Sequence, residues 1–272
     1  NQQRQYFSFN PANYLYITKL IMQKTKKRQE KKRNNKVSRG KLIWQYTYRT
    51  VLVLWFLSIA HVVLLKYVPV YFTPLMVLRS CQAIFNGQTP HNEKKWVPLN
   101  DISPNLTIAC VASEDNLFMK HNGFSKRAIK QALIERLEGK RIRGGSTISQ
   151  QTAKNVFTFG SRTWFRKGIE TYYTILIELI WGKERIMEVY LNVVELGNGI
   201  YGAEAAARHY WGISSNELSK KQSALMAAAL PNPLYYSITR PGPYMQKRQK
   251  QILNLMPKMA RIDFLYNDKI KK

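Results

Sequence analysis

The sequence is short of acidic residues. Asp and Glu together number 16 against 43 Lys and Arg, which gives a formal net charge of +27. Such an excess of positive charge favours an anionic partner: nucleic acid, an anionic membrane or a phosphorylated substrate. On so basic a chain, a pair of adjacent carboxylates at the edge of an apolar segment needs an explanation.

The chain also lacks the residue patterns of several common sites. The two cysteines, Cys81 and Cys110, are too few for a disulfide framework, and Cys110 lies in an apolar helical run that predicts a buried thiol. The four histidines are scattered, so no metal site is expected. The glycine pair at 144–145 is not followed by GK[ST], which argues against a P-loop. An SxxK motif occurs only at 38–41, inside a basic segment, so no transpeptidase activity is expected.

A basic segment followed by an apolar run predicts a membrane anchor. KTKKRQEKKRNNK at 24–36 precedes TVLVLWFLSIAHVVLL at 50–65, which carries no formal charge. Extended to 49–70, with Arg49 and Lys66 reaching the interface, the run attains the roughly 20 residues that cross a bilayer. Tyrosine and tryptophan flank it, as in an aromatic belt. The alternative, a buried helix of a soluble core, does not explain the basic segment.

The positive-inside rule then gives an orientation. It places the N-terminus in the cytoplasm and everything after the span outside, so we expect a single-pass membrane protein. Anionic lipid and topology account for the basic segment, and no nucleic-acid partner is expected.

Changes in composition divide the chain into successive segments. Met22 stands just before the basic segment, which suggests that translation starts there and that the residues before it lack structure. The predicted segments are an upstream or disordered stretch (1–21), a basic cytoplasmic tail (22–48), a transmembrane helix (49–70), a juxtamembrane connector (71–95), an outer domain (96–262) and a C-terminal tail (263–272).

The domain after the connector has helical signals and few strand patterns. Ser103 and Pro104 predict an N-cap followed by proline at the first helical position. Thr147 with Gln150 predicts a capping box. RKGIETYYTILIELIW and KERIMEVYLNVVEL have the apolar period of amphipathic helices. The expected fold class is mainly α.

The adjacent carboxylates are Glu114 and Asp115. The apolar stretch TIACVAS leads directly into them. A surface position on a basic protein is one interpretation. The other is that Glu114 is kept from full solvation, in a position that suits a general base.

A second candidate site lies at the start of a predicted helix. The turn that includes Arg143 and ends in GGST directs free backbone N–H groups and the positive end of the helix dipole toward an anion. Four further bases follow, and together they predict a phosphate or pyrophosphate site: Lys154, Arg162, Arg166 and Lys167. An ordinary capped helix is the alternative. Glu170, one turn after Arg166 and Lys167, taken alone suggests a surface ion pair.

Together these motifs resemble a known family. EDNLFMKHNGF, RGGSTISQQTAKN, RKGIETYYTILIE and KERIMEVYLNVVELGNGIYGAEAAARHYWG are similar, in order and spacing, to the successive motifs of the peptidoglycan glycosyltransferases, glycosyltransferase family 51. The resemblance covers about residues 96–241. The short chain with its N-terminal anchor is similar to the monofunctional members. Ser125 departs from the family, which often has Asp there, but serine also caps a helix.

The resemblance implies a fold and a reaction. The fold is a lysozyme-like α domain, and the substrate is lipid II, added to a lipid-linked glycan chain. Glu114 and Glu170 are the implied catalytic residues: Glu114 deprotonates the acceptor hydroxyl, and Glu170 acts near the pyrophosphate. The implied substrate-binding positions are Ser146, Thr147, Gln150, Lys154, Arg166 and Lys167. No certain cofactor is implied, beyond room for a divalent cation (Mg²⁺ or Mn²⁺) at the pyrophosphate. Proteins of cell-wall synthesis or division are the implied partners.

Two other functions compete with this interpretation. A membrane-anchored lytic glycosidase of lysozyme type would also use a glutamate, as a general acid. The cluster of bases argues against it, because glycan hydrolysis has no pyrophosphate leaving group. A non-catalytic scaffold that holds an anionic polymer would tolerate the loss of Glu114.

Overall fold

Helices dominate the residues that the computed structural model describes, which are 11–126, 130, 134, 137–139, 145–160, 163–259 and 262–265. This confirms the prediction of a mainly α chain. The chain divides into two units, Asn1–Ile59 and Ala60–Lys272.

Helix α1 runs from Pro11 to Tyr67 without interruption. Its segment Arg39–Tyr67 is, within the described part of the chain, the one helix long and apolar enough to cross a membrane. The helix ends before position 70 because Pro69 disfavours helical backbone at the residue preceding it. Residues 11–21, expected to lack structure, also belong to α1. In the first unit the apolar side chains from Val53 to Leu57 are exposed, as a lipid-facing surface requires.

The segment 71–95, predicted as a connector, contains regular structure. Helix α2 (Pro74–Phe85) begins with Pro74 at its first position, and the Thr73 hydroxyl accepts from the Met76 N–H. Strand β1 (Glu93–Lys94) pairs in parallel with β3 (Ile200–Tyr201), which is antiparallel to β2 (Glu195–Gly197). The order of this small sheet is β1-β3-β2. Proline at a helix start and long-range strand pairing explain why periodicity alone missed these elements.

Seven further α-helices with described bounds form most of the core of the second unit. They are α3 (Pro104–Glu114), α4 (Ile148–Phe157), α5 (Trp164–Ile180), α6 (Gly182–Val193), α7 (Ala203–Trp211), α8 (Lys220–Ala229) and α9 (Pro243–Leu255). Helix α4 packs against α5 and α6, while α3 packs against the alanine-rich α8, which also contacts α9. Ala224, Ala227 and Ala228 are fully buried, and their small side chains allow the close approach of α8 to α3.

Two local predictions concern helix starts. The capping box of Thr147 and Gln150 is confirmed. Ser103 is the N-cap residue of α3 and Pro104 opens that helix, as predicted. The Ser103 hydroxyl makes no capping hydrogen bond and donates instead to the Leu218 carbonyl at 2.8 Å. Cys81 and Cys110 are free thiols, and burial raises the pKa of Cys110.

Candidate active site

Glu114 is the last residue of α3 and lines a cleft. The Ser113 hydroxyl donates to Oε1 of Glu114 at 3.0 Å, and Nε2 of Gln151 on α4 donates to Oε2 at 3.0 Å. The side chain is half-buried. Each carboxylate oxygen therefore has one protein donor and retains lone pairs that can accept a further proton. The cleft encloses about 190 Å³ between residues 112–116, Ser125 and residues 145–147.

Asp115 is buried and has a different role from Glu114. Both of its carboxylate oxygens lie 2.9 Å from Nε2 of His121, and Oδ2 accepts from the backbone N–H of Ile148 at 3.1 Å. Asp115 thus joins the end of α3 to the start of α4.

At the start of α4, where an anion site is predicted, several backbone donors have partners within the protein. The N–H of Ile148 donates to Asp115, and the N–H of Gln150 donates to the Thr147 hydroxyl at 3.2 Å. Oε1 of Gln150 in turn accepts from the N–H of Thr147 at 3.0 Å. The N–H groups of Thr147, Ile148 and Gln150 are therefore satisfied within the protein, and the anion site at this turn stays a prediction.

Thr147 and Gln150, predicted to bind substrate, make hydrogen bonds within the protein. Both are buried, and the Thr147 hydroxyl also donates to the Gly123 carbonyl at 2.6 Å. Gly123 has a φ of +84°, and a Cβ there would lie 2.8 Å from Cγ2 of Thr174. Glycine is thus required where the first motif meets the second. Ser146 is exposed and lines the cleft.

The predicted bases and Glu170 form a second cluster at α4 and α5. Nη1 of Arg166 donates to Oε2 of Glu170 at 2.8 Å, and Nζ of Lys167 contacts Oε1. Glu170 is only 2% exposed, so this is not the surface ion pair that the residues alone suggested. Helix α5 turns this face inward against α4, which buries the carboxylate between its two cations.

Lys154 stands between the two glutamates on α4. Its side chain reaches the surface, yet the surrounding protein removes water from its ammonium group, and this desolvation lowers its pKa. The negative charges of Glu170 and Glu114 oppose that shift, whereas the positive charges of Arg166 and Lys167 add to it. Within the described part of the chain, Lys154 makes no hydrogen bond or ion pair, so its ammonium is available to an anion.

Arg143 and Arg162, predicted with these bases, lie outside the described residues. Sequence reasoning missed Ser113 and Gln151, the two donors to Glu114. Gln151 directly follows Gln150, and adjacent helical residues point in different directions. The packing of α4 shows that Gln150 closes the helix start while Gln151 contacts the candidate base.

Comparisons with known proteins cover most of the chain. The family model described as Transglycosylase matches residues 82–257. A biosynthetic peptidoglycan transglycosylase of Bacteroides thetaiotaomicron is 50% identical over 219 residues, which are 79% of this chain and 88% of that protein. The protein of the same name from Bdellovibrio bacteriovorus is 46% identical over 84% of this chain and 94% of its own length. The one from Caulobacter vibrioides is 47% identical over 71% of this chain and 82% of its own length.

Proposed function

The chain belongs to the transglycosylase family and is a glycosyltransferase of peptidoglycan biosynthesis, and from this premise we propose that it polymerises lipid II. Lipid II is a disaccharide-pentapeptide on undecaprenyl pyrophosphate. The products are β-1,4-linked glycan strands and free undecaprenyl pyrophosphate. The observation that carries the proposal is the placement of α4. This helix lies between the half-buried carboxylate of Glu114 and a cluster of cations that surrounds the buried carboxylate of Glu170.

Glu114 is the proposed general base. It removes the proton from the 4-hydroxyl of the acceptor sugar as that oxygen attacks the anomeric carbon of the lipid-linked donor. The new bond forms opposite the departing pyrophosphate, so the anomeric centre inverts. Hydrogen bonds from Ser113 and Gln151 hold the carboxylate in one orientation at the cleft, which supports this role.

The cluster of Lys154, Arg166 and Lys167 is proposed to receive the pyrophosphate. Breaking the anomeric C–O bond leaves negative charge on the leaving group, and cations fixed beforehand stabilise that charge in the transition state. Glu170 fixes Arg166 and Lys167 through its two oxygens. Its proposed role is to position those cations at the leaving group.

The residues do not favour Glu170 as a metal ligand. Both of its oxygens already accept from cations. We therefore assign charge neutralisation at the pyrophosphate to Lys154, Arg166 and Lys167.

We further propose that the chain is anchored in the cell inner membrane by the span within α1, with a cytoplasmic N-terminus and a periplasmic catalytic domain. The candidate span and the basic residues that precede it support this topology. A membrane location suits a substrate whose carrier is a polyisoprenyl lipid. The SxxK pattern at 38–41 lies on α1, so we propose glycan polymerisation without transpeptidation.

The test is incubation of the full chain, in detergent, with purified labelled lipid II. Polymer with release of undecaprenyl pyrophosphate is expected. Unchanged lipid II together with cleavage of preformed glycan would instead identify a lytic glycosidase. Binding of substrate with neither reaction would identify a scaffold. Either of these outcomes overturns the proposal.

A further inference from the structure

The donor to Oε1 of Glu114 is itself held by a residue distant in sequence. Nη2 of Arg248, on α9, donates to the backbone carbonyl of Ser113 at 3.1 Å and to the Ser113 hydroxyl oxygen at 3.3 Å. The same hydroxyl donates to Glu114 at 3.0 Å. A continuous chain of hydrogen bonds therefore leads from a guanidinium to the proposed base.

The direction of these hydrogen bonds matters. A serine hydroxyl has one hydrogen to donate and two lone pairs to accept with. Two acceptors compete for that hydrogen: Oε1 of Glu114 at 3.0 Å and the Ala227 carbonyl at 3.4 Å. Arg248 occupies a lone pair of the hydroxyl and polarises it, which strengthens its donation to the nearer, charged acceptor.

Arg248 is placed by the packing of its helix. Met245 and Ile252, one turn to either side on α9, are buried, so Arg248 lies on the face that packs toward the rest of the domain. Helix α9 contacts both α8 and α3. The guanidinium is thus fixed relative to α3, the helix that ends in Glu114.

We propose that Arg248 is a positioning residue for Glu114, acting through the Ser113 hydroxyl. It fixes the hydroxyl, which fixes one carboxylate oxygen, so that the other lone pairs of Glu114 face the acceptor hydroxyl in the cleft. Arg248 touches neither substrate nor the reacting atoms in this role. The inference rests on the proposed function, in which Glu114 is the general base.

The experiment compares kcat and KM for lipid II polymerisation by the full chain in detergent. The variants are Arg248→Ala, Arg248→Lys and Ser113→Ala. Lys247→Ala is the matched control, because it removes one positive charge from the neighbouring position of α9, where the side chain is exposed. Arg248→Ala is also assayed with added guanidinium, at concentrations far below those that unfold proteins, as a small-molecule replacement for the lost group.

We expect Arg248→Ala to lower kcat by about tenfold to a hundredfold, the cost of a misplaced catalytic group, while KM changes less than about threefold. Guanidinium should restore part of kcat, and Arg248→Lys should lie between Arg248→Ala and the parent. Ser113→Ala should lower kcat in the same way, and its effect should not add fully to that of Arg248→Ala, because the two act on one oxygen of Glu114.

Several results would overturn the inference. One is a kcat within about threefold of the parent for both Arg248→Ala and Ser113→Ala, below the effect of a misplaced base. Another is a raised KM with unchanged kcat, which would make Arg248 a substrate contact. If Arg248→Ala does not fold, the kcat and KM values of Ser113→Ala and Arg248→Lys test the inference by the same criteria. A parent chain that fails to polymerise lipid II overturns the proposed function and this inference together, whereas an active parent separates the two.

Discussion

Glu114 and Glu170 differ in what surrounds their carboxylates, and this difference supports the separate roles proposed for them. Glu114 is half-buried and accepts from the neutral donors Ser113 and Gln151. Glu170 is buried and accepts from two cations, Arg166 and Lys167. A carboxylate with neutral donors and an open cleft can take a proton, whereas one committed to two cations serves to hold them.

Replacement of the two glutamates should separate their roles. Glu114→Gln keeps the shape of the side chain but cannot accept the proton, so chain growth should fall by about 10²–10⁴-fold while lipid II still binds. Glu170→Gln should lower turnover and also change lipid II affinity, because Arg166 and Lys167 lose their counterion. Polymerisation rates and binding of both variants provide the measurement, with circular dichroism as the check on folding. Activity of Glu114→Gln within about tenfold of the parent would contradict the assignment of the base.

Lys154 should control anion affinity in a pH-dependent manner. Lys154→Ala should weaken binding of lipid II or a phosphoglycolipid inhibitor by about 1.5–3 kcal/mol, the worth of a charge-assisted hydrogen bond. Because desolvation lowers the pKa of Lys154, its positive charge is lost at a lower pH than that of an ordinary lysine. As the pH rises, the affinity of the parent for lipid II should therefore fall at a lower pH than the affinity of Lys154→Arg, which keeps its charge.

Equilibrium binding across the alkaline range measures this effect. Lys220→Ala, at an exposed position of α8, is the control for loss of charge alone. Equal affinity of parent and Lys154→Ala, with the fold intact, would remove Lys154 from the anion site.

At the scale of elements, α4 organises the site. Helix α4 presents Gln150 to its own start, Gln151 to Glu114 and Lys154 toward Glu170.

In the first turn of α7, the buried side chain of Glu204 stabilises the fold. It is 1% exposed and accepts from the Ser215 N–H at 2.8 Å and from Arg208 at 2.7 Å, which ties α7 to the following turn.

Glu204 should make stability depend on acid pH. Burial alone would raise its pKa, but hydrogen bonds from Ser215, Arg208 and Lys95 outweigh it and lower the pKa from 4.5 to about 2. The ionised group therefore contributes stability that is fully present above 4.5 and is lost as pH falls toward 2. At neutral pH, Glu204→Gln should reduce the free energy of unfolding by about 3 kcal/mol.

Urea unfolding of the chain in detergent, followed by circular dichroism at several pH values, tests this. The difference between parent and Glu204→Gln should shrink as the pH falls below about 4.5. Glu184→Gln, at an exposed position of α6, is the control. A difference that stays constant with pH would show that ionisation of Glu204 is not its source.

At the scale of the whole molecule, the chain combines a segment suited to a bilayer with an enzyme domain for a lipid-linked substrate. The last turns of α1 belong to the second unit. Nε1 of Trp181 donates to the Val62 carbonyl at 2.7 Å, and Nη2 of Arg185 donates to the carbonyls of Leu65 and Val68 at 2.8 and 2.6 Å. A cation is well placed at the negative end of a helix dipole, so the chain that leaves α1 is held firmly on α6.

The proposed topology predicts where a fused reporter works. A reporter enzyme that is active only outside the cytoplasm should be active when fused after Lys272, because the basic residues before the span stay inside. A reporter that works only in the cytoplasm should be silent at the same position. The opposite pair of results would refute the orientation without affecting the assignment of the active site.

The sequence by itself determined the helical class, the candidate span, the family resemblance and the place of Glu114 at the end of an apolar helix. These rest on patterns local to a segment: uncharged length, helical period, capping residues and motif order. The strand β1 was missed, because its pairing with β3 joins residues far apart in the chain.

Only the tertiary structure decided which residues of the site are buried and which form hydrogen bonds with one another. It placed Asp115 on the start of α4, where the sequence had predicted a substrate anion, and it buried Glu170, which the sequence alone would leave at the surface. It also placed Gln151 as a donor to Glu114 and brought Arg248 to Ser113. The physical reason is common to all of these: burial and hydrogen-bond partners depend on which helix faces meet, and that is set by packing between segments distant in the chain.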